Sequence, residues 1–231
     1  MNYRLLLLCL VWLAGLTVTL PSHAKDYAIE VIIFVNQQGL QQTAEQFSAD
    51  HIIPVSNNGI QLNAADNDTP WQPLPAEEYI LKSVASRLQQ SGQYQVIKHI
   101  AWRQPMADKN DALPIQIQAG RDFTASFPER AYRQVEFSDT GAINASKSSD
   151  KIYELEGTIN VVITRYIHVY SDMVYRLPRT NPSVADDAMH RQQVLVDYSV
   201  NSHRRMRSGE LHYIDHPLVG ILVEATPIED N

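Results

Sequence analysis

The residues with the most chemical capacity lie in the last third of the chain. His203-Arg204-Arg205-Met206-Arg207 is a basic cluster in an acidic protein whose formal net charge is −7. Strand alternation puts Asn201, His203, Arg205 and Arg207 on one face of one segment, and Thr164, Tyr166, His168 and Tyr170 on one face of another. If the two segments pair, aromatic rings able to stack on sugars stand beside arginines able to pair with carboxylates. That combination suits a glycan bearing acidic peptides. The competing reading is a solvated face on which the arginines balance nearby Asp and Glu. Tyr166, His168, Tyr170, Asn201, His203, Arg205 and Arg207 are the candidate ligand-binding residues.

Other constellations carry less. Glu154 and Glu156 share a strand face at roughly 7 Å by strand spacing, a separation that could serve glycoside hydrolysis. Nothing near them in sequence suggests burial, both precede Gly157 on the wetter face, and a solvated pair is expected. His212, Asp215 and His216 would suit a metal on a helix. In a strand closed by Pro217, positions four apart are roughly 13 Å distant, so Asp215 and His216 are expected to shape a turn. Ser148-Ser149-Asp150-Lys151 matches S-x-x-K, but it lies in a polar loop without the companion S-D-N and K-T-G elements. No nucleophile elbow, P-loop or dinucleotide fingerprint is present. The residues therefore predict no catalytic group, metal or cofactor.

The elements that position these residues are mostly strands. Tyr27 to Val35 is apolar on both alternating faces, which predicts a central strand covered on both sides. Asn36 to Pro75 is polar and turn-rich. Ala76 to about Gln90 reads as a helix, with Glu77 and Glu78 in its first turn and Tyr79, Ile80, Val84 and Leu88 as an apolar stripe. Tyr94 to Trp102 is a second strand, closing a β-loop-α-β unit whose crossover is right-handed if its strands are parallel neighbours. Residues 105–150 are turn-rich around the short alternation Ile115-Gln116-Ile117-Gln118, and any subdomain boundary falls there.

Beyond that stretch the alternation is long. Tyr153, Leu155, Ile159, Val161, Ile163, Ile167 and Val169 fall on one face of a single extended strand. After a connection containing Pro178 and Pro182, a second long strand runs through Val194, Val196, Tyr198 and Val200. These two predict a long antiparallel hairpin, with further strands at Leu211 to Asp215 and Val219 to Ala225. The fold expected is α+β: mainly antiparallel sheet, with a long C-terminal hairpin and an N-terminal β-loop-α-β unit.

The N-terminus has the layout of an export signal. Arg4 precedes an apolar run from Leu5 to about Leu20, followed by Pro21-Ser22-His23-Ala24, with small residues where signal peptidase cleaves before Lys25. The run is short for a membrane span, and Cys9 lies too early in it to serve as a lipoprotein acylation site. Residues 1–24 are thus expected to be removed, leaving a cysteine-free domain over 25–231. An exported chain without disulfides fits a bacterial periplasm. Its acidic balance argues against nucleic-acid binding.

Three stretches together resemble one family. Tyr27-Ala28-Ile29-Glu30-Val31-Ile32-Ile33-Phe34 opens the chain, and Tyr153-Glu154-Leu155-Glu156-Gly157 runs into Arg165-Tyr166-Ile167-His168-Val169. The third block extends from Arg204-Arg205-Met206-Arg207-Ser208-Gly209-Glu210 through Leu211-His212-Tyr213-Ile214-Asp215-His216-Pro217-Leu218-Val219-Gly220. They are similar to the CsiV family of proteobacterial periplasmic proteins. The resemblance implies a non-enzymatic peptidoglycan-binding protein needed for cell-shape integrity. It also implies a partner, the outer-membrane lipoprotein that activates a bifunctional penicillin-binding protein. It brings no ligand residues, so the candidate site rests on strand faces. A protein adaptor that offers a sheet edge to an envelope partner, without a glycan site, is the alternative.

Overall fold

A computed structural model describes residues 25–39, 52–62, 69–128, 130, 151–180 and 193–229. The export signal, the S-x-x-K serine Ser148 and Pro182 lie outside the described residues.

Two antiparallel sheets face each other across one apolar core. In the first, β1 (Asp26–Asn36) lies between β3 (Tyr94–Pro105) and β9 (Val219–Pro227), with short β2 (Gln72–Pro73) and β8 (His212–Ile214) at the edges. Strand β1 is buried continuously from Ile29 to Val35, as its doubly apolar pattern predicts. Ile29, Val31, Ile33 and Val35 belong to the core between the sheets, while Ile32 and Phe34 face the helix. A buried polar stitch joins the sheets: Trp102 Nε1 donates to Gln104 Oε1 (2.8 Å), and Gln104 Nε2 donates to the Val161 carbonyl (2.9 Å).

The helix is shorter than its sequence pattern. A 3-10 turn at Ala76–Glu78 precedes α1 (Lys82–Gln90), and Tyr79 between them is extended. Glu30 is the cause. Its buried carboxylate accepts hydrogen bonds from Ile80 N (2.7 Å) and from Leu81 N (2.9 Å), the N-cap amide and the one before it, and so fixes where the helix begins. Ile80 therefore stands outside the apolar stripe, 58% exposed, whereas Leu81, Val84, Ala85 and Leu88 pack on Ile32, Phe34, Tyr94, Val96 and Leu222.

Strands β1 and β3 are antiparallel neighbours, so the front unit has no parallel crossover. The chain between them visits the other sheet first. Ile60 bridges Ile115, and Ile53 N donates to Asp197 Oδ2 (3.0 Å), before the chain returns at β2 along the edge of β3.

The second sheet is a meander of β4 (Ile115–Asp122), β5 (Tyr153–Ile163), β6 (Ile167–Thr180) and β7 (Gln193–Met206). The single strand expected over 153–170 is two strands. Thr164, Arg165 and Tyr166 turn the chain, and Ile163 pairs with Ile167, Val161 with Val169. An odd number of turn residues keeps odd positions facing the core on both sides, so the alternation runs on as if the strand were straight. Pro178 is likewise inside β6, opposite Leu195, and not in a connection. The last β5 pairing is Leu155 with Tyr175, so among the described residues Pro178 has a strand on one side only, where its missing N–H is tolerated. Gly157 (φ 142°) lets β5 and β6 approach: a Cβ there would sit 2.2 Å from the Asp172 carbonyl oxygen. No helix among the described residues is long and apolar enough to cross a membrane.

Candidate functional site

The outer face of the second sheet has two ends, both built from β5, β6 and β7. At the turn end, register sets His168 opposite Arg205, Tyr170 opposite His203 and Asp172 opposite Asn201. His168 Nδ1 and His203 Nε2 are 2.9 Å apart, with ring centroids at 5.2 Å and planes inclined by 14°. Those three values describe two imidazoles lying edge to edge in nearly one plane, sharing one hydrogen bond. Tyr170 stacks flat on His203, with centroids at 4.3 Å and planes inclined by 5°. Tyr166, in the β5–β6 turn, is 37% exposed and lies under the guanidinium of Arg205 at 4.6 Å, with that of Arg165 at 5.7 Å.

Five of the seven predicted residues thus come together: Tyr166, His168, Tyr170, His203 and Arg205. Asn201 is on the same face, but its Oδ1 accepts from Met173 N (3.2 Å) and so serves the sheet. Arg207 follows the end of β7, exposed and apart from the rings. Sequence reasoning missed Arg165, because the turn that brings it over Tyr166 is hidden by unbroken alternation.

Charge balance separates this end of the face from the other. Arg103, Arg121, Arg130 and Arg176 each sit against a carboxylate. Arg165, Arg204, Arg205 and Arg207 have no ion pair with any described residue. Asp172, exposed opposite Asn201, is the nearby carboxylate of this face among the described residues.

The opposite end is closed. Glu156 (2% exposed) and Glu154 (4%) are buried, which corrects the solvated pair expected of them. The fully buried Arg176 donates from Nη1 to Glu156 Oε2 (3.0 Å) and to the Tyr153 carbonyl (2.8 Å), and its Nε lies 3.6 Å from Asp197 Oδ1. Arg130 reaches the other oxygen of Asp197. Glu154 accepts from Arg121 N (3.0 Å) and Nε (3.1 Å), and from the Tyr175 hydroxyl at 3.4 Å. Burial, and then the Glu154 charge, push the Tyr175 phenol well above its ordinary range.

The cover comes from residues 122–127. Asp122 Oδ1 accepts from Thr124 N and Oγ1, and Thr124 Oγ1 accepts from Ile152 N. Those bonds hold Phe123 and Phe127 against Ile152 and Leu195. The Thr124 hydrogen bonds draw the Asp122 carboxyl below its usual range. The signal missed was the pair of phenylalanines, which lie outside any periodic segment. His216 and Asp215 shape the β8–β9 turn as expected: Leu218 N donates to His216 Nδ1 (3.3 Å), and the Tyr213 hydroxyl donates to Asp215 (2.6 Å). His212 pairs with Glu210 at 3.4 Å. Among the described residues no cluster of three or more His, Cys, Asp or Glu could hold a metal ion.

A sandwich of two antiparallel sheets, with a cationic, ring-lined patch on one outer face, has the character of a binding domain. Its family follows from comparison: a model described as "Peptidoglycan-binding protein, CsiV" matches residues 5–228, and the chain belongs to that family. No curated protein and no solved structure matches it.

Proposed function

We infer that the protein is a non-catalytic peptidoglycan-binding protein of the periplasm that supports wall synthesis and cell shape, and that it binds the wall through the open end of the second sheet. The observation that carries this is the pair Arg165 and Arg205 over Tyr166, beside the His168–His203–Tyr170 rings and without an ion pair to any described residue. Family membership supports the ligand. The export signal read in residues 1–24, with the processed chain beginning at Lys25, supports the compartment. Glu154 and Glu156 are both engaged by arginines, which favours a structural role over general acid–base work.

Cosedimentation of the purified protein with isolated sacculi at low and high salt tests the reading. Binding that weakens with salt is expected of an arginine-mediated contact. Protein that stays in the supernatant at both salts contradicts it. A second reading has its own observation: among the described residues, β7 is a 14-residue strand at the sheet edge that pairs with β6. Such an edge can accept a strand from an envelope protein, including the lipoprotein activator of a bifunctional penicillin-binding protein. Capture of that lipoprotein by a protein that ignores sacculi would favour this second reading.

A further inference from the structure

The open end of the second sheet offers the donors of Arg205 and Arg165 at its turn, with the exposed carboxylate of Asp172 two rows of the sheet away from Arg205. Arg205 and Arg165 lie over Tyr166, so a cation takes one face of that ring, and Tyr170 has one face on His203. The Asn201 oxygen is bonded to Met173 N. A site that holds sugars needs planar acceptors for hydroxyl groups and open ring faces. Cations with free N–H groups suit carboxylates instead.

The histidine pair adds a property of its own. Two neutral imidazoles sharing one hydrogen bond leave one outer nitrogen as a donor and the other as an acceptor. One added proton makes both outer nitrogens donors and gives the pair a positive charge. The titratable and charged groups facing the pair are Tyr170 and Asp172 from β6, Arg205 from β7, and Arg165 and Tyr166 from the turn. Strand β5 presents only Val162 and Asn160 to these rows. A positive charge on the pair is repelled by Arg205 and Arg165 and attracted by Asp172 and by an incoming carboxylate.

We propose that this end of the sheet reads the free carboxylates of wall peptide stems and not the sugar rings, with Arg205 and the outer nitrogens of His168 and His203 as donors, and that the histidine pair takes up a proton as the carboxylate binds. The inference rests on the wall-binding reading above. Proton uptake on binding means that affinity rises as pH falls.

The test is competition against sacculus cosedimentation with two soluble fragments: stem tetrapeptide, and glycan strands stripped of peptide by an amidase. The stem peptide is expected to displace the protein and the stripped glycan is not. The stem peptide should compete several-fold better at about pH 6 than at about pH 8. That gain should vanish in H168Q/H203Q, and R205A should weaken the competitor about tenfold or more. Thermal unfolding checks both variants, and competition on the unaltered protein decides the ligand even if a variant fails to fold. Displacement by stripped glycan but not by stem peptide overturns this inference and leaves wall binding standing. Persistence of the pH gain in H168Q/H203Q overturns proton uptake at the pair. Failure of the unaltered protein to sediment with sacculi overturns the wall-binding reading itself.

Discussion

The two ends of one sheet face use the same residue types to opposite effect. Near Asp197, arginines and carboxylates are buried together, Arg176 between Glu156 and Asp197 and Arg130 on Asp197, while the exposed Arg121 reaches in to buried Glu154. Near the β5–β6 turn the arginines meet rings and solvent. Strand identity does not separate the two, since β6 contributes Arg176 to one and His168 to the other, and β7 contributes Asp197 and Arg205. The segment around Phe123 and Phe127 does, because it packs on Ile152 and Leu195 at one end and leads into Arg130, which pairs with Asp197. Covered charge must be paired on the spot, whereas uncovered charge remains available to a ligand.

The comparison can be broken first at the closed end. Arg176→Ala leaves Glu156 and Asp197 buried without their shared cation and is expected to cost about 3–5 kcal/mol in urea unfolding. A loss no greater than that of an ordinary surface substitution would mean that this network is not a structural unit. Glu154→Gln keeps the shape but removes the charge that holds Arg121 and faces Tyr175, and about 1–2 kcal/mol should be lost. Sacculus turnover should be unchanged in that variant; a drop in turnover would revive a hydrolase reading of the paired glutamates.

Tyr175 sharpens the contrast by pH. Its raised folded-state pKa means that its contribution to stability is present below the unfolded phenol value of about 10 and is lost as pH rises through the folded value. Stability should therefore fall in the alkaline limb, and Tyr175→Phe should flatten that limb when unfolding midpoints are compared across pH. The smallest effect on stability belongs to the open end. Arg205→Glu with Arg207→Glu should shift unfolding by no more than about 0.5 kcal/mol, since both side chains are exposed and neither has a carboxylate partner among the described residues. Unfolding of that variant would show the cluster to be structural.

Much of the scaffold was legible in the sequence, for physical reasons. A doubly apolar segment marks β1 as central, and alternation sorts β5, β6 and β7 into inner and outer faces, which is how His168, Tyr170, His203 and Arg205 were grouped. Parity also concealed the turn at Thr164–Tyr166, and with it Arg165. The helix start was illegible because it is set by Glu30, fifty positions upstream of Ile80. Burial of Glu154 and Glu156 was illegible because their partners Arg121 and Arg176 and the phenylalanine cover arrive from elsewhere in the chain, joined only by the fold.

The central claim is that wall binding belongs to the open end and not to the protein's charge as a whole. Sacculus cosedimentation of three proteins tests this most directly: the unaltered chain, Arg205→Glu/Arg207→Glu, and Lys82→Glu/Arg87→Glu on the distant helix α1, which changes net charge by the same amount. Loss of binding in the first variant alone is the predicted result. Equal loss in both variants, or binding unaffected by the change at Arg205 and Arg207, would contradict the account.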